Sequence, residues 1–105
     1  MVKQGEYRGY KYKIYKNVNF FMVFYVGYIE IPESSSAFNK DIDDFDVNLD
    51  VTWSALGNPQ EEKEIWYVGT HVLSEKETNV KVEGLRFEGI ESLEHKLFTI
   101  IDNII

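Results

Sequence analysis

The side chains best equipped for chemistry in this chain are carboxylates. Asp41, Asp43, Asp44, Asp46 and Asp50 fall close together, and Glu61, Glu62 and Glu64 form a second acidic group. Such a cluster suits a hard cation, a basic partner, or nothing beyond solvation. The calcium reading fails on spacing: an EF-hand loop needs a glycine at its sharp turn and a glutamate at its closing position, and neither is present. Along an extended strand Asp44 and Asp46 would lie about 6.7 Å apart, too far to share an ion without help from a loop. Of the two histidines, His71 and His95, neither stands at a recognised spacing from a serine nucleophile, and two cannot build a His-rich metal site. There are no cysteines, which excludes disulfides, thiolate metal sites and cysteine nucleophiles. The glycines are scattered, so no phosphate-cradling loop is present; Gly69 and Gly84 suit strand bulges or close packing. Trp53, Trp66 and the seven tyrosines could stack on a nucleotide, but such residues on alternating strands more commonly pack a core. The expectation is a protein with no catalytic residues, no metal and no cofactor.

The elements that must position these groups follow from periodicity. Apolar and polar residues alternate from Phe45 to Trp53, which predicts a third strand at Phe45 to Ser54 with Phe45, Val47, Leu49, Val51 and Trp53 buried and Asp44, Asp46 and Asp50 exposed. Tyr7 to Lys16 is a first strand, with Tyr10, Tyr12 and Ile14 opposite Lys11 and Lys13, and Lys16 to Asn19 the following turn. Phe20 to Ile31 is almost continuously apolar, the pattern of a central strand covered on both faces, and Pro32 ends it. Glu33 to Asp43 forms a loop, and Gly57-Asn58-Pro59 with the charged run Gln60 to Glu64 a second one. Ile65 to Leu73 and Asn79 to Phe87 complete the strands, joined by a polar turn at Ser74 to Thr78. Ile90, Leu93, Leu97, Ile101 and Ile104 then recur at helical spacing, and Glu88, Glu91 and Glu94 suit the positive end of a helix dipole. The predicted architecture is α+β: residues 1–105 as a single domain, an antiparallel sheet of about five strands with one C-terminal amphipathic helix packed on it.

Charge narrows the partner. Net charge is −7, unevenly spread: residues 1–29 carry five basic side chains against Glu6 alone, whereas residues 30–105 carry six basic and seventeen acidic ones. A nucleic-acid binder draws most of its affinity from phosphate contacts and needs a dominant basic patch, so direct nucleic-acid binding is disfavoured. The N-terminal stretch lacks the apolar segment of a signal peptide, and no apolar run reaches the roughly 20 residues that span a bilayer. An intracellular protein without a membrane anchor is expected.

Gly27, Tyr28, Pro32, Phe38, Lys40, Asp43, Asp44, Val47, Thr52, Trp53, Trp66 and Gly69 together resemble a family of small, mostly uncharacterised proteins encoded by phages and prophages of bacteria. In that family a Gly-Tyr strand ends in proline, runs through a His-Pro-x-aromatic-Gly-Lys loop to Asp-Asp, and continues into an alternating strand. Here Ser35-Ser36 replace the His-Pro, Asn39 replaces the loop glycine, Asp50 stands near a family histidine, and Thr70-His71 replace a later Phe-Asp-Cys. The resemblance therefore implies a phage accessory protein in the bacterial host cytoplasm that keeps the scaffold and lacks the family's most reactive groups.

Three classes of function compete. The first is an inhibitor whose acidic surface occupies a basic site on a host protein, a nucleic-acid-handling defence enzyme such as a CRISPR nuclease. Its contact set is Asp41, Asp43, Asp44, Asp46, Asp50, Glu61, Glu62 and Glu64, with Phe38 or Trp66 as an apolar anchor. The second is a binder that sequesters a nucleotide signal on aromatic residues. The third, a hydrolytic enzyme, has no motif to support it.

Overall fold

The computed structural model describes residues 1–19, 22–74 and 88–105, with the backbone alone described at residues 19 and 61–63. Arg8 and Gly9, at φ 50° and 87°, make the two-residue turn whose twist matches paired strands. It joins β1 (Lys3–Tyr7) to β2 (Tyr10–Asn19). β3 (Met22–Ile31), β4 (Trp53–Asn58) and β5 (Glu61–Leu73) complete a five-stranded sheet among the described residues, ordered β1-β2-β3-β5-β4. Every neighbouring pair is antiparallel. The C-terminal helix α1 (Ile90–Ile104) packs on one face, so the predicted α+β architecture holds.

The parity of each strand sorts the side chains. Tyr12 and Ile14 of β2, Ile29 and Ile31 of β3, and Val68 and Val72 of β5 meet Leu93, Leu97, Ile100 and Ile101 of α1 in the main core. The helix residues recur at 93, 97, 100 and 101, one stripe of a 3.6-residue repeat. Helix and sheet approach closely at Gly27, where a Cβ would lie 2.7 Å from Leu97 Cδ1. On the opposite parity Tyr15, Tyr28 and Tyr67 form a second cluster with Val26, Trp53 and Ile65 packed against it. β3, the middle strand, is accordingly apolar on both faces, as its sequence predicts.

Polar pins join α1 to the N-terminal hairpin. Lys3 Nζ donates to Glu94 Oε1 at 2.6 Å and Tyr12 OH donates to Glu94 Oε2 at 2.5 Å. Arg8 donates to Asp102 at 2.9 Å. The Tyr12 hydroxyl is pushed up to about 12 by burial and by its bond to Glu94. Burial pushes the Glu94 carboxyl up, but the bonds from Lys3 and Tyr12 outweigh it and hold it below the ordinary value of 4.5. A carboxyl depressed on folding stabilises the fold above its unfolded-state range, and that contribution is lost as pH falls through the folded-state value. Stability should therefore decline on acidification below pH 4.5. Glu94→Gln, which cannot ionise, should lower the urea midpoint at neutral pH and flatten this acid limb. An identical acid limb in the variant would remove Glu94 from the account.

Four sequence expectations are corrected. The strand at Phe45 to Ser54 is instead a pair of 3₁₀ turns, Ile42–Asp44 and Val47–Leu49, and β4 starts only at Trp53. Local side-chain bonding explains this: the Asp46 carboxylate accepts from Asn48 N at 2.9 Å, and Asp50 ends the second turn in the left-handed conformation, φ 56°. Phe45 is buried and Leu49 and Val51 pack on the main core, but Val47 is 88% exposed. Asp44, Asp46 and Asp50 are exposed as expected. Lys16 to Asn19 continues β2 rather than turning, because its residues pair with β3 as far as Asn19 opposite Met22. The run from Glu61 to Glu64 belongs to β5, the turn being confined to Pro59 and Gln60 after Gly57 (φ 73°). The first strand is two strands, because Arg8 and Gly9 reverse the chain, and Lys3–Tyr7 supplies the fifth strand of the sheet. The expected strand at Asn79 to Phe87, with Gly84, and the turn residues 75–78 lie outside the described residues.

Candidate partner-binding surface

Pro32 stops β3 and opens a connection that reaches β4 at Trp53. Successive turns hold it, from Ser35 N to Pro32 O (2.9 Å), Phe38 N to Ser35 O (3.1 Å) and Lys40 N to Ala37 O (3.2 Å). Tyr10 OH donates to Ser35 Oγ at 2.9 Å, and Ser36 Oγ donates to the Ile104 carbonyl at 3.1 Å, tying the loop to β2 and to the end of α1. Ala37 is buried, and Phe45 turns inward with Lys40 Nζ 4.6 Å from its ring centre. The loop is thus anchored at several points along its length.

What it presents outward is acidic and partly apolar. Asp41, Asp43, Asp44 and Asp46 are exposed, and none has an ion-pair partner among the described residues. On the same two turns Ile42 and Val47 stand 42% and 88% exposed. Sequence reasoning missed both as surface residues, because alternation places Val47 inside; the signal against it is Asp46 itself, whose short carboxylate can bond the backbone N–H two residues on in an Asx-turn. Asp50 behaves differently from its neighbours. Its carboxylate accepts from Lys96 Nζ at 2.7 Å and its carbonyl accepts from Thr70 Oγ1 at 2.7 Å, so it fastens the turn to α1 and β5.

Phe38, Trp66 and Glu64 come together elsewhere, in an open groove of about 660 Å³ at the end of β3 and β5. Ile31 pairs with Trp66, and Trp66 with Leu56, so three apolar residues cross the sheet in one row. Phe38 lies 5.9 Å from Trp66, centre to centre. The indole N–H of Trp66 donates to Ser54 Oγ at 3.1 Å, and Ser54 Oγ donates to the Lys40 carbonyl at 2.5 Å, which fixes the ring's orientation. Lys11, Glu30 and Glu33 complete the polar lining, none of them anticipated as site residues. The side chains of Glu61 and Glu62 lie outside the described residues.

The histidines are exposed, with His71 Nδ1 3.2 Å from Thr52 Oγ1. Among the described residues no three His, Cys, Asp or Glu side chains gather around a position for a metal ion. No described helix is long and apolar enough to cross a membrane. Compared with known proteins, the chain matches no family model, no curated protein and no solved structure.

Proposed function

We propose that this chain is a non-catalytic accessory protein of phage or prophage origin that binds and inhibits a nucleic-acid-handling protein of the bacterial host, a defence enzyme of the CRISPR kind. The observation that carries the reading is the anchored turn pair of residues 41–47. Among the described residues it holds four exposed carboxylates without ion-pair partners, together with the exposed side chains of Ile42 and Val47. Carboxylates steer an encounter with a groove built for phosphates, and exposed apolar side chains on the same turns supply the desolvated contact that single surface salt bridges cannot. The resemblance in sequence supports the phage origin. Asn39, at φ 61°, adopts a conformation that glycine also favours, at the position of the resembled family's loop glycine.

The test is kinetic. A partner is captured from nuclease-treated bacterial lysate, purified, and its association rate measured against rising salt. Asp43→Lys with Asp44→Lys is the informative variant, because Asp46 is needed for its bond to Asn48. The pair of reversals should slow association at least about tenfold at low salt, in the range that electrostatic steering supplies, while leaving the urea midpoint nearly unchanged. An affinity indifferent both to salt and to the reversals would mean that the acidic turn is only a solvated surface.

A further inference from the structure

We infer that the groove at the end of β3 and β5 receives an arginine-bearing, extended segment of a basic partner protein. Its apolar floor is Trp66, Phe38 and Leu56, the last 58% exposed on β4. Its polar lining holds Glu30, Glu33 and Glu64 against Lys11 alone, and the three carboxylates have no ion-pair partner among the described residues. A phosphate-bearing ligand would meet that excess of negative charge. A guanidinium meets both features: its planar face stacks on an indole, and its fork of N–H donors fits a carboxylate. Lysine offers a compact charge with neither property, so arginine is the preferred occupant. The hydrogen bond that fixes Trp66 leaves little ring orientation to be lost on binding. The groove volume falls in the range of sites that enclose small ligands or a few residues of peptide. This inference deepens the inhibitor reading, since a basic partner would engage the acidic turn and the groove alike. Its test uses a peptide alone, so its failure and the failure of docking by residues 41–47 are distinguishable.

The full chain, labelled with ¹⁵N, is titrated with an acetylated and amidated Gly-Arg-Gly-Arg-Gly peptide. Saturable shifts are expected at the Trp66 indole N–H and at the backbone amides of Glu30, Glu33 and Glu64. The lysine counterpart should bind several-fold more weakly, and the glutamate counterpart should not bind. Glu33→Gln with Glu64→Gln changes two exposed side chains, and its amide spectrum reports that the fold is kept; affinity for the arginine peptide should fall at least about tenfold. The inference is overturned if no saturable shift develops at millimolar peptide, if shifts are confined to residues 41–47, or if the glutamine variant binds as tightly as the parent. Equal binding of the lysine peptide would overturn the arginine preference.

Discussion

Replacing Phe45 by alanine is expected to cost about 3 to 5 kcal/mol of stability, whereas Val47→Ala should stay within about 0.5 kcal/mol of the parent. Phe45 is 8% exposed and belongs to the main core, with the Lys40 ammonium over its ring. Truncation removes that packing and leaves a cavity beneath the loop. Val47 stands on the second 3₁₀ turn with nearly its whole side chain in solvent, so little is lost when it is shortened. On an alternating strand the two residues would share a face, and both truncations would be costly. Urea midpoints of the two variants decide between these geometries. A loss at Val47 of the size expected at Phe45 would restore the strand and withdraw Val47 from the binding surface.

Leu97→Ala should be comparably severe, at about 2 to 5 kcal/mol, because the side chain is fully buried where α1 meets β3. Its neighbour across the interface is Gly27, which has no side chain with which to fill the vacated space. Gly27→Ala in the parent sets a methyl group 2.7 Å from Leu97 Cδ1 and should also destabilise, by about 1 to 3 kcal/mol. Combined with Leu97→Ala, the same methyl enters the space left by the leucine. The double variant should therefore lose clearly less than the sum of the single losses. Strict additivity in urea unfolding would mean that the two positions do not meet as described.

The candidate site was legible in parts. The acidic character of residues 41–46 and their exposure follow from composition, since carboxylates without partners are costly to bury. Their geometry does not follow. The same alternation that marks a strand is produced by two short turns in which Asp46 caps through Asn48 and Asp50 enters a left-handed conformation. Spacing groups Asp50 with its neighbours because its partner, Lys96, is 46 positions away and only the packing of α1 brings it near. Phe38 and Trp66 were both candidates for an apolar anchor, yet they serve a groove apart from the acidic turn pair.

What depends on neighbours along the chain is readable from residue order. The apolar run of β3, the proline that stops it, the helical spacing from Ile90 to Ile104 and the acidic excess after residue 30 are local patterns, and each survives in the structure. What depends on residues far apart is set by strand pairing and helix packing. The fifth strand comes from Lys3–Tyr7 because Arg8 and Gly9 fold it back onto β2, and β5 inserts between β3 and β4 although β4 precedes it in the chain. The groove exists because the row Ile31, Trp66 and Leu56 is assembled by strand register, with Phe38 brought to it by the loop after Pro32. Periodicity reports which residues share a face. Only the pairing of strands and the seating of the helix establish which faces meet, since those contacts repay chain entropy across long separations and leave no mark on local spacing.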